Sequence, residues 1–301
     1  MNHHVLTLML ASAGLAGAQA LPPSWTYALP ETGLLPSAAS YEFASSMRER
    51  HSGASHFGMQ SASLTIPFSD PRASSLYGWA FNAELSSTVT FVDAEGDIGL
   101  ENDVLYKMTL PLSFIRPTEQ GDRWVIAVAP TISSDLAEMA RAFDFGMFVA
   151  YTENWNDSFN FTLGIAGYPR FAQYYFVPVF GFEWKPAEDW TVKLRAYELS
   201  AMNAVTERLS LGVFASAKGG VWSVETEPGA RRLNVQSFVA GLAAEYDFSQ
   251  AGQRKRIITA ALGSTLASSV RFHEYGGSRE ADEAHHYRPG LYASVGVDFR
   301  F

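Results

Sequence analysis

The residues with the most chemical potential in this sequence are charged. Glu280-Ala281-Asp282-Glu283-Ala284-His285-His286 gathers three carboxylates and two imidazoles. Such groups ligate Zn or Ni. A solvated outer loop has the same composition, so no metal and no cofactor is assigned. Nucleophilic catalysis on one strand face would place a Ser two residues after a His, where imidazole deprotonates the hydroxyl. His51, His56, His273, His285 and His286 all lack that Ser. A base and a nucleophile can still meet across strands, so a lipid-modifying enzyme stays as an alternative to the non-enzymatic reading.

A second set of charges is spread along the chain. Glu84, Lys107, Asp144, Glu183, Lys193, Arg195, Arg208, Glu245 and Asp298 comprise five acidic and four basic side chains. Each lies on the parity opposite to its segment's large apolar residues. If the apolar parity faces lipid, these charges line a lumen. They would then either pair across it and stiffen it, or conduct small polar solutes and ions. A near balance of signs argues against strong selectivity, which needs rings of like charge. The small residues Gly78, Ala80, Ser86, Gly146, Ala150, Gly164 and Gly212 share this face and leave room for a narrow pore.

Alternating strands must position these groups. In Gly290–Phe301, Leu291, Ala293, Val295, Val297, Phe299 and Phe301 fall on one parity, and Gly290, Tyr292, Ser294, Gly296, Asp298 and Arg300 on the other. Side chains alternate across a strand, so one face is apolar. The segment that ends on Phe91 repeats the pattern, with Tyr77, Trp79, Phe81, Ala83, Leu85, Val89 and Phe91 opposite Gly78, Asn82, Glu84, Ser86, Thr88 and Thr90. Similar stripes run through Tyr106–Phe114, Phe143–Tyr151, Phe159–Ile165, Phe176–Trp184, Trp190–Leu194, Leu209–Val213, Phe238–Phe248 and Ile258–Phe272, with weaker ones at Leu64–Phe68 and Trp124–Val128. Twelve strands result, and one helical turn is expected at Asp135–Ala142.

Loop lengths test this count. Membrane barrels have even strand numbers, with short turns at one end. With twelve strands, the short turns at Asn156–Ser158 and Pro186–Asp189 fall opposite the one at Ser249–Gln253. A strand at Tyr41–Met47 and a split at Gly219-Gly220 would give fourteen and restore the alternation. The expected fold is an all-β, antiparallel up-and-down transmembrane barrel of about twelve strands, with fourteen as the alternative.

Composition agrees. Aromatics make up 14% of the chain, as interfacial girdles require. There is no Cys, which excludes disulfides and thiolate chemistry. The net charge of −9 leaves no nucleic-acid footprint. Met1–Ala20 has no acidic residue, an apolar run from Val5 and a closing Ala18-Gln19-Ala20, the pattern of a cleaved signal peptide. Residues 21–39 then read as a Pro-rich periplasmic lead-in, and 40–301 as the barrel.

The ending Ser294-x-Gly296-x-x-Phe299-x-Phe301 resembles the β-signal read by the outer-membrane barrel assembly machinery. Pro178-Val179-Phe180-Gly181-Phe182-Glu183-Trp184-Lys185-Pro186 with Trp190 resembles an uncharacterised family of Gram-negative outer-membrane β-barrel proteins, over roughly the C-terminal two thirds. The resemblance implies a location in the bacterial outer membrane, after secretion through the inner membrane, and lends no activity. The implied partners are signal peptidase and the assembly machinery during biogenesis, then outer-membrane lipids and lipopolysaccharide. The functional expectation is a narrow, weakly selective, porin-like pore or a structural barrel. The alternatives are a lipid-modifying enzyme and a surface-binding protein. Gly229-Ala230-Arg231-Arg232 and Phe272–Arg288 are the outer loops such a binder would use, or that would bridge lipopolysaccharide.

Overall fold

A computed structural model describes residues 36–50, 55–68, 75–76, 78–95, 99–118, 122–170, 173–195, 197–226, 229–249, 256–274 and 283–300. The expected signal peptide, residues 21–35 of the lead-in, Phe301 and Glu280–Asp282 lie outside them.

The described residues form one antiparallel sheet closed on itself. Its first strands are β1 (Pro36–Arg48), β2 (His56–Pro67), β3 (Ser75–Leu76), β4 (Trp79–Glu95), β5 (Val104–Thr109) and β6 (Leu112–Pro117). Next come β7 (Arg123–Ser134), β8 (Phe143–Asn156), β9 (Phe159–Arg170), β10 (Gln173–Ala187), β11 (Trp190–Arg195) and β12 (Glu198–Ala204). The last are β13 (Leu209–Val224), β14 (Arg231–Asp247), β15 (Arg256–Glu274), β16 (Glu283–Tyr287) and β17 (Gly290–Arg300). The segments β2 and β3, β5 and β6, and β16 and β17 each share one stave, so the barrel has fourteen strands. It closes where β1 pairs with β17, Pro36 opposite Arg300 and Ala44 opposite Tyr292. β1 therefore begins ahead of the expected barrel boundary at residue 40.

Fourteen rather than twelve comes from two strands with few large outward residues. One is β1, which covers the anticipated Tyr41–Met47. The other is β12, whose only large exposed apolar side chain is Leu199. The anticipated split at Gly219-Gly220 does not occur: β13 runs through it, paired to β14 from Leu209 to Val224. The glycines mark a bend. Gly219 has φ 139°, and a Cβ there would lie 2.0 Å from the Val235 carbonyl oxygen. With fourteen strands, the turns at 157–158, 188–189 and 205–208 share one end with Pro36 and Arg300, as the alternation requires.

Asp135–Ala142 is not a helical turn. The Asp135 carboxylate accepts the N–H groups of Ala137 (3.0 Å) and Glu138 (3.1 Å), and Leu136 has φ 70°. The acid competes with helix formation by bonding its own neighbours.

The outer surface carries the apolar parity. Phe143 and Phe176 are 63% exposed, Leu242 is 66% exposed, and Phe91, Leu163, Ile165, Trp184, Trp190, Leu211, Leu262 and Leu291 are also exposed. Water would penalise so much exposed apolar surface; lipid would not. No helix among the described residues is long and apolar enough to cross a membrane.

Candidate functional site: a lumen closed at one end

The half of the lumen nearer Pro36 and Arg300 is polar. Between β2 and β4, Ser61 faces Thr90 (2.9 Å), Ser63 faces Thr88 (2.9 Å) and Thr65 donates to Ser86 (3.3 Å). Thr152 faces Thr162 (2.8 Å) between β8 and β9. These cross-strand hydroxyl pairs satisfy one another on the inner face. Midway along the lumen, Lys218 of β13 reaches Glu42 of β1 at 2.9 Å. Beside them, Phe214 and Tyr292 lean together, with ring centroids 5.9 Å apart, over the paired Gly241 and Gly263. A Cβ at either glycine would strike the neighbouring backbone at about 2 Å.

The other half of the lumen is filled by the barrel's own wall. Beyond Gly219, and beyond a register shift at Phe238/Val239 where Leu266 is the extra residue on β15, the far halves of β13, β14 and β15 turn inward. Their edge crosses to β7, where Ser223 pairs with Ser134. These strands are remote around the ring: β8 to β12 separate them on one side, and β14 round to β6 on the other. Arg232 at the head of β14 ion-pairs with Asp144 of β8, and both side chains are mostly buried. Glu225 N–H donates to Asp135 (2.9 Å), Asp135 N–H to the Ser223 carbonyl (3.2 Å), and Ser223 Oγ to the Arg141 carbonyl (2.7 Å).

Both faces of this inturned flap are buried. One packs Trp222, Val224, Leu233, Val235, Val270 and Phe272 against Met47, Phe57, Val92, Leu105 and Tyr287. On the other, Val221 joins a cluster on the inner face of β6–β10: Ile115, Val125, Ala127, Phe148, Ala150, Ala166, Val177 and Val179. A strand buried on both faces loses its polar alternation, as Arg231–Gln236 shows.

The expected lining residues divide. Glu183 sits between Lys193 (3.3 Å) and Lys185 (3.6 Å). Arg195 pairs in register with Gly181 and Glu198 on the inner face. Lys107 is on the same face as Thr88 and Ser133, one row beyond Asp144. Glu84 is buried on β4, and Glu245 lies opposite Ser210 and Thr259 near the mouth. Arg208 is not on a strand face: it is exposed in the turn 205–208, where its carbonyl accepts from Asp247 N–H (2.8 Å).

Three residues that matter were not among those expected: Glu42, Lys218 and Arg232. Lys218 was masked by the turn reading of the adjoining glycines. Arg231 and Arg232 were read as outer loop, yet they begin β14, and Arg231 meets Glu274 at 3.3 Å. Of the metal-like cluster, His285 approaches Glu49 at 3.1 Å, and no group of metal-binding side chains forms among the described residues. In the expected assembly signal, Ser294 and Gly296 face inward opposite Glu42 and Ser40, and Phe299 meets Phe248 edge-on at 6.4 Å.

The chain belongs to the family described as Domain of unknown function (DUF6268), which matches residues 38–300. No curated protein matches the sequence. Among solved structures it is similar to the COG4313 outer membrane channel from Pseudomonas putida F1, with 13% identity, a TM-score of 0.44, and 93% of this chain and 100% of that one covered. It is also similar to the P. putida toluene transporter TodX, with 10% identity, a TM-score of 0.41, and 92% and 93% covered.

Proposed function

We propose that this barrel lies in the bacterial outer membrane and passes small molecules, with the inturned ends of β13, β14 and β15 as its gate. The location is supported by an even number of antiparallel strands, an exposed apolar exterior, and the start of β1 and end of β17 on the side of the short turns. The Ser294–Phe301 ending fits an assembly signal on the closing strand.

The flap carries the functional reading. A purely structural barrel of this size would gain cohesion from any plug. This plug is instead part of the wall, bent at a glycine that tolerates no side chain, packed on both faces and tied at its tip by polar contacts. Fourteen strands fall between barrels packed solid and those with open channels, so an inward segment decides whether a path exists. The hydroxyl-lined half below it is a wettable path for water and for the polar end of a solute.

Single-channel recording of the purified, refolded full chain tests the reading. Long closures broken by discrete conductance steps are expected. A folded barrel that stays silent, and remains silent when the Arg232–Asp144 pair is removed, would refute a channel.

A further inference from the structure

Among the described residues, the wall is incomplete between β10 and β13. β11 and β12 have six and seven residues, while their neighbours β10 and β13 have fifteen and sixteen. A strand needs about 9–11 residues to cross the hydrocarbon of a membrane. The β11–β12 hairpin therefore ends partway across. Its last pairs are Gly181 with Arg195 on one side and Glu198 with Ser216 on the other, extended by Ala217 N–H donating to the Tyr197 carbonyl at 3.0 Å. Beyond Gly181, Gln173–Phe180 of β10 pairs only with β9 among the described residues. Beyond Ala217, the facing edge of β13 has turned inward.

This edge is flanked by exposed apolar side chains. On β10 the exposed apolar residues Phe176, Phe180 and Trp184 form one continuous outer stripe, and Phe176 and Phe180 belong to the segment that pairs on its β9 side alone among the described residues. The stripe covers eight residue steps, about 26 Å at 3.3 Å each, which matches the height of a barrel's apolar band. Unpaired backbone facing hydrocarbon is unfavourable unless it borders a cavity or passage. Behind the edge, Val177 and Val179 belong to the apolar cluster with Phe148, Ala166 and Val221. Asn234 and Arg271 are the cross-strand neighbours of Val221 on the same face of the flap, and Arg271 Nε is buried without a partner among the described residues.

We infer that the gap above the β11–β12 hairpin is a side portal, through which a small apolar molecule bearing one anionic group moves between the outer leaflet and the lumen. This rests on the channel reading and names its solute class. The apolar body lies against Val177, Val179 and Phe148, and the anionic group meets Arg271 and Asn234. The charge of Arg232 is already met by Asp144, which leaves Arg271 as the flap's cation for a ligand.

The chain has no Cys, so single labels are unambiguous. Val179→Cys and, as an inward control on a fully paired stretch of wall, Ser61→Cys carry a bimane label through refolding into phosphatidylcholine vesicles with brominated acyl chains. Bimane at Val179 should be quenched and bimane at Ser61 should not. Equal, weak quenching at both would overturn the portal. Two dyes sharing one ring system, anilinonaphthalene sulfonate and uncharged N-phenylnaphthylamine, test the solute. Arg271→Gln should weaken sulfonate binding about tenfold, about 1.4 kcal/mol, and leave the uncharged dye unchanged. An equal effect on both dyes, or none on either, would overturn the assigned class. A quenched Val179 in a protein that never conducts would leave the gap standing and reject the channel. Conduction with an unquenched Val179 would do the reverse.

Discussion

Arg232 and Asp144 form an ion pair across the lumen, joining β14 to β8, two strands that are never neighbours in the sheet. The pair fixes the tip of a segment that has left its own place in the wall. Both side chains are mostly buried, so water cannot replace either partner. Removing one partner of a buried pair costs about 3–5 kcal/mol, because the other charge is stranded. Asp144→Asn should therefore expel Arg232 and the flap with it, raising the open fraction in planar bilayers. Asp144→Asn with Arg232→Gln should recover much of the lost stability while still opening more than the parent. An open fraction in Asp144→Asn equal to the parent's would show that the pair does not hold the gate.

The bend itself can be separated from its latch. Gly219 and Gly229 both have positive φ, 139° and 118°. At Gly219 a Cβ collides with the Val235 carbonyl, whereas at Gly229 it meets nothing within 4 Å. A strained φ alone costs about 1–3 kcal/mol. Gly229→Ala should show about that loss in urea unfolding, and Gly219→Ala a larger one, with altered conductance because the flap cannot seat. Equal losses would mean that the collision at Gly219 relaxes freely.

How much of this was legible in the sequence differs by element. The two faces could be read because the lipid-facing residues are large: Phe91, Phe176, Leu242 and Leu291 are exposed, and their neighbours Thr90, Val177 and Tyr292 are buried. The count of twelve missed β12 because Leu199, Ala201 and Asn203 make a weak outward stripe on a strand too short to span. The gate was hidden for a different reason. Once both faces of β14 are buried, period-two contrast disappears, and Arg231-Arg232 followed by Leu233, Asn234 and Val235 reads as a loop entering a strand. Gly219-Gly220 signals a departure from regular strand, but a turn and a bend use the same residue. Only the pairing of Leu209–Val224 with β14 distinguishes them. The opening between β10 and β13 is a property of strand lengths relative to their neighbours, which no single segment carries.

The closing strand gives a biogenesis prediction. Phe299 is opposite Ser37 on β1 and Arg256 on β15, and its ring meets Phe248 at the end of the barrel where β1 begins. Phe299→Ser should lower the folded, heat-modifiable species in outer-membrane fractions, and deleting Phe301 should do the same if the ending is read as a signal during assembly. Refolding from urea into detergent micelles, which needs no machinery, should be much less affected by the Phe301 deletion. Normal membrane levels of both variants would argue against an assembly signal at this position.

The ionic lining of the polar half provides the last test. Glu183 and Lys193 are direct cross-strand partners, 3.3 Å apart, with Lys185 at 3.6 Å on the other side of the carboxylate. Arg195 follows Lys193 on the same inner face, opposite Glu198. Changing both Lys193 and Arg195 to Glu leaves Glu183 and Glu198 facing new carboxylates. Like charges directly opposite on a sheet are destabilising, by about 0.2–1 kcal/mol per pair where water reaches them. In a hydrated lumen the barrel should therefore fold, and the reversal potential in a salt gradient should move toward cation selectivity, because rings of like charge act at close range. The shift should shrink as salt rises from 0.1 M to 1 M, where the screening length falls from about 10 Å to about 3 Å. If this half of the lumen were dry, the same change would bury like charges and cost several kcal/mol, so the unfolding midpoint would drop instead. A variant with the parent's stability and the parent's selectivity would show that these side chains do not line the conducting path.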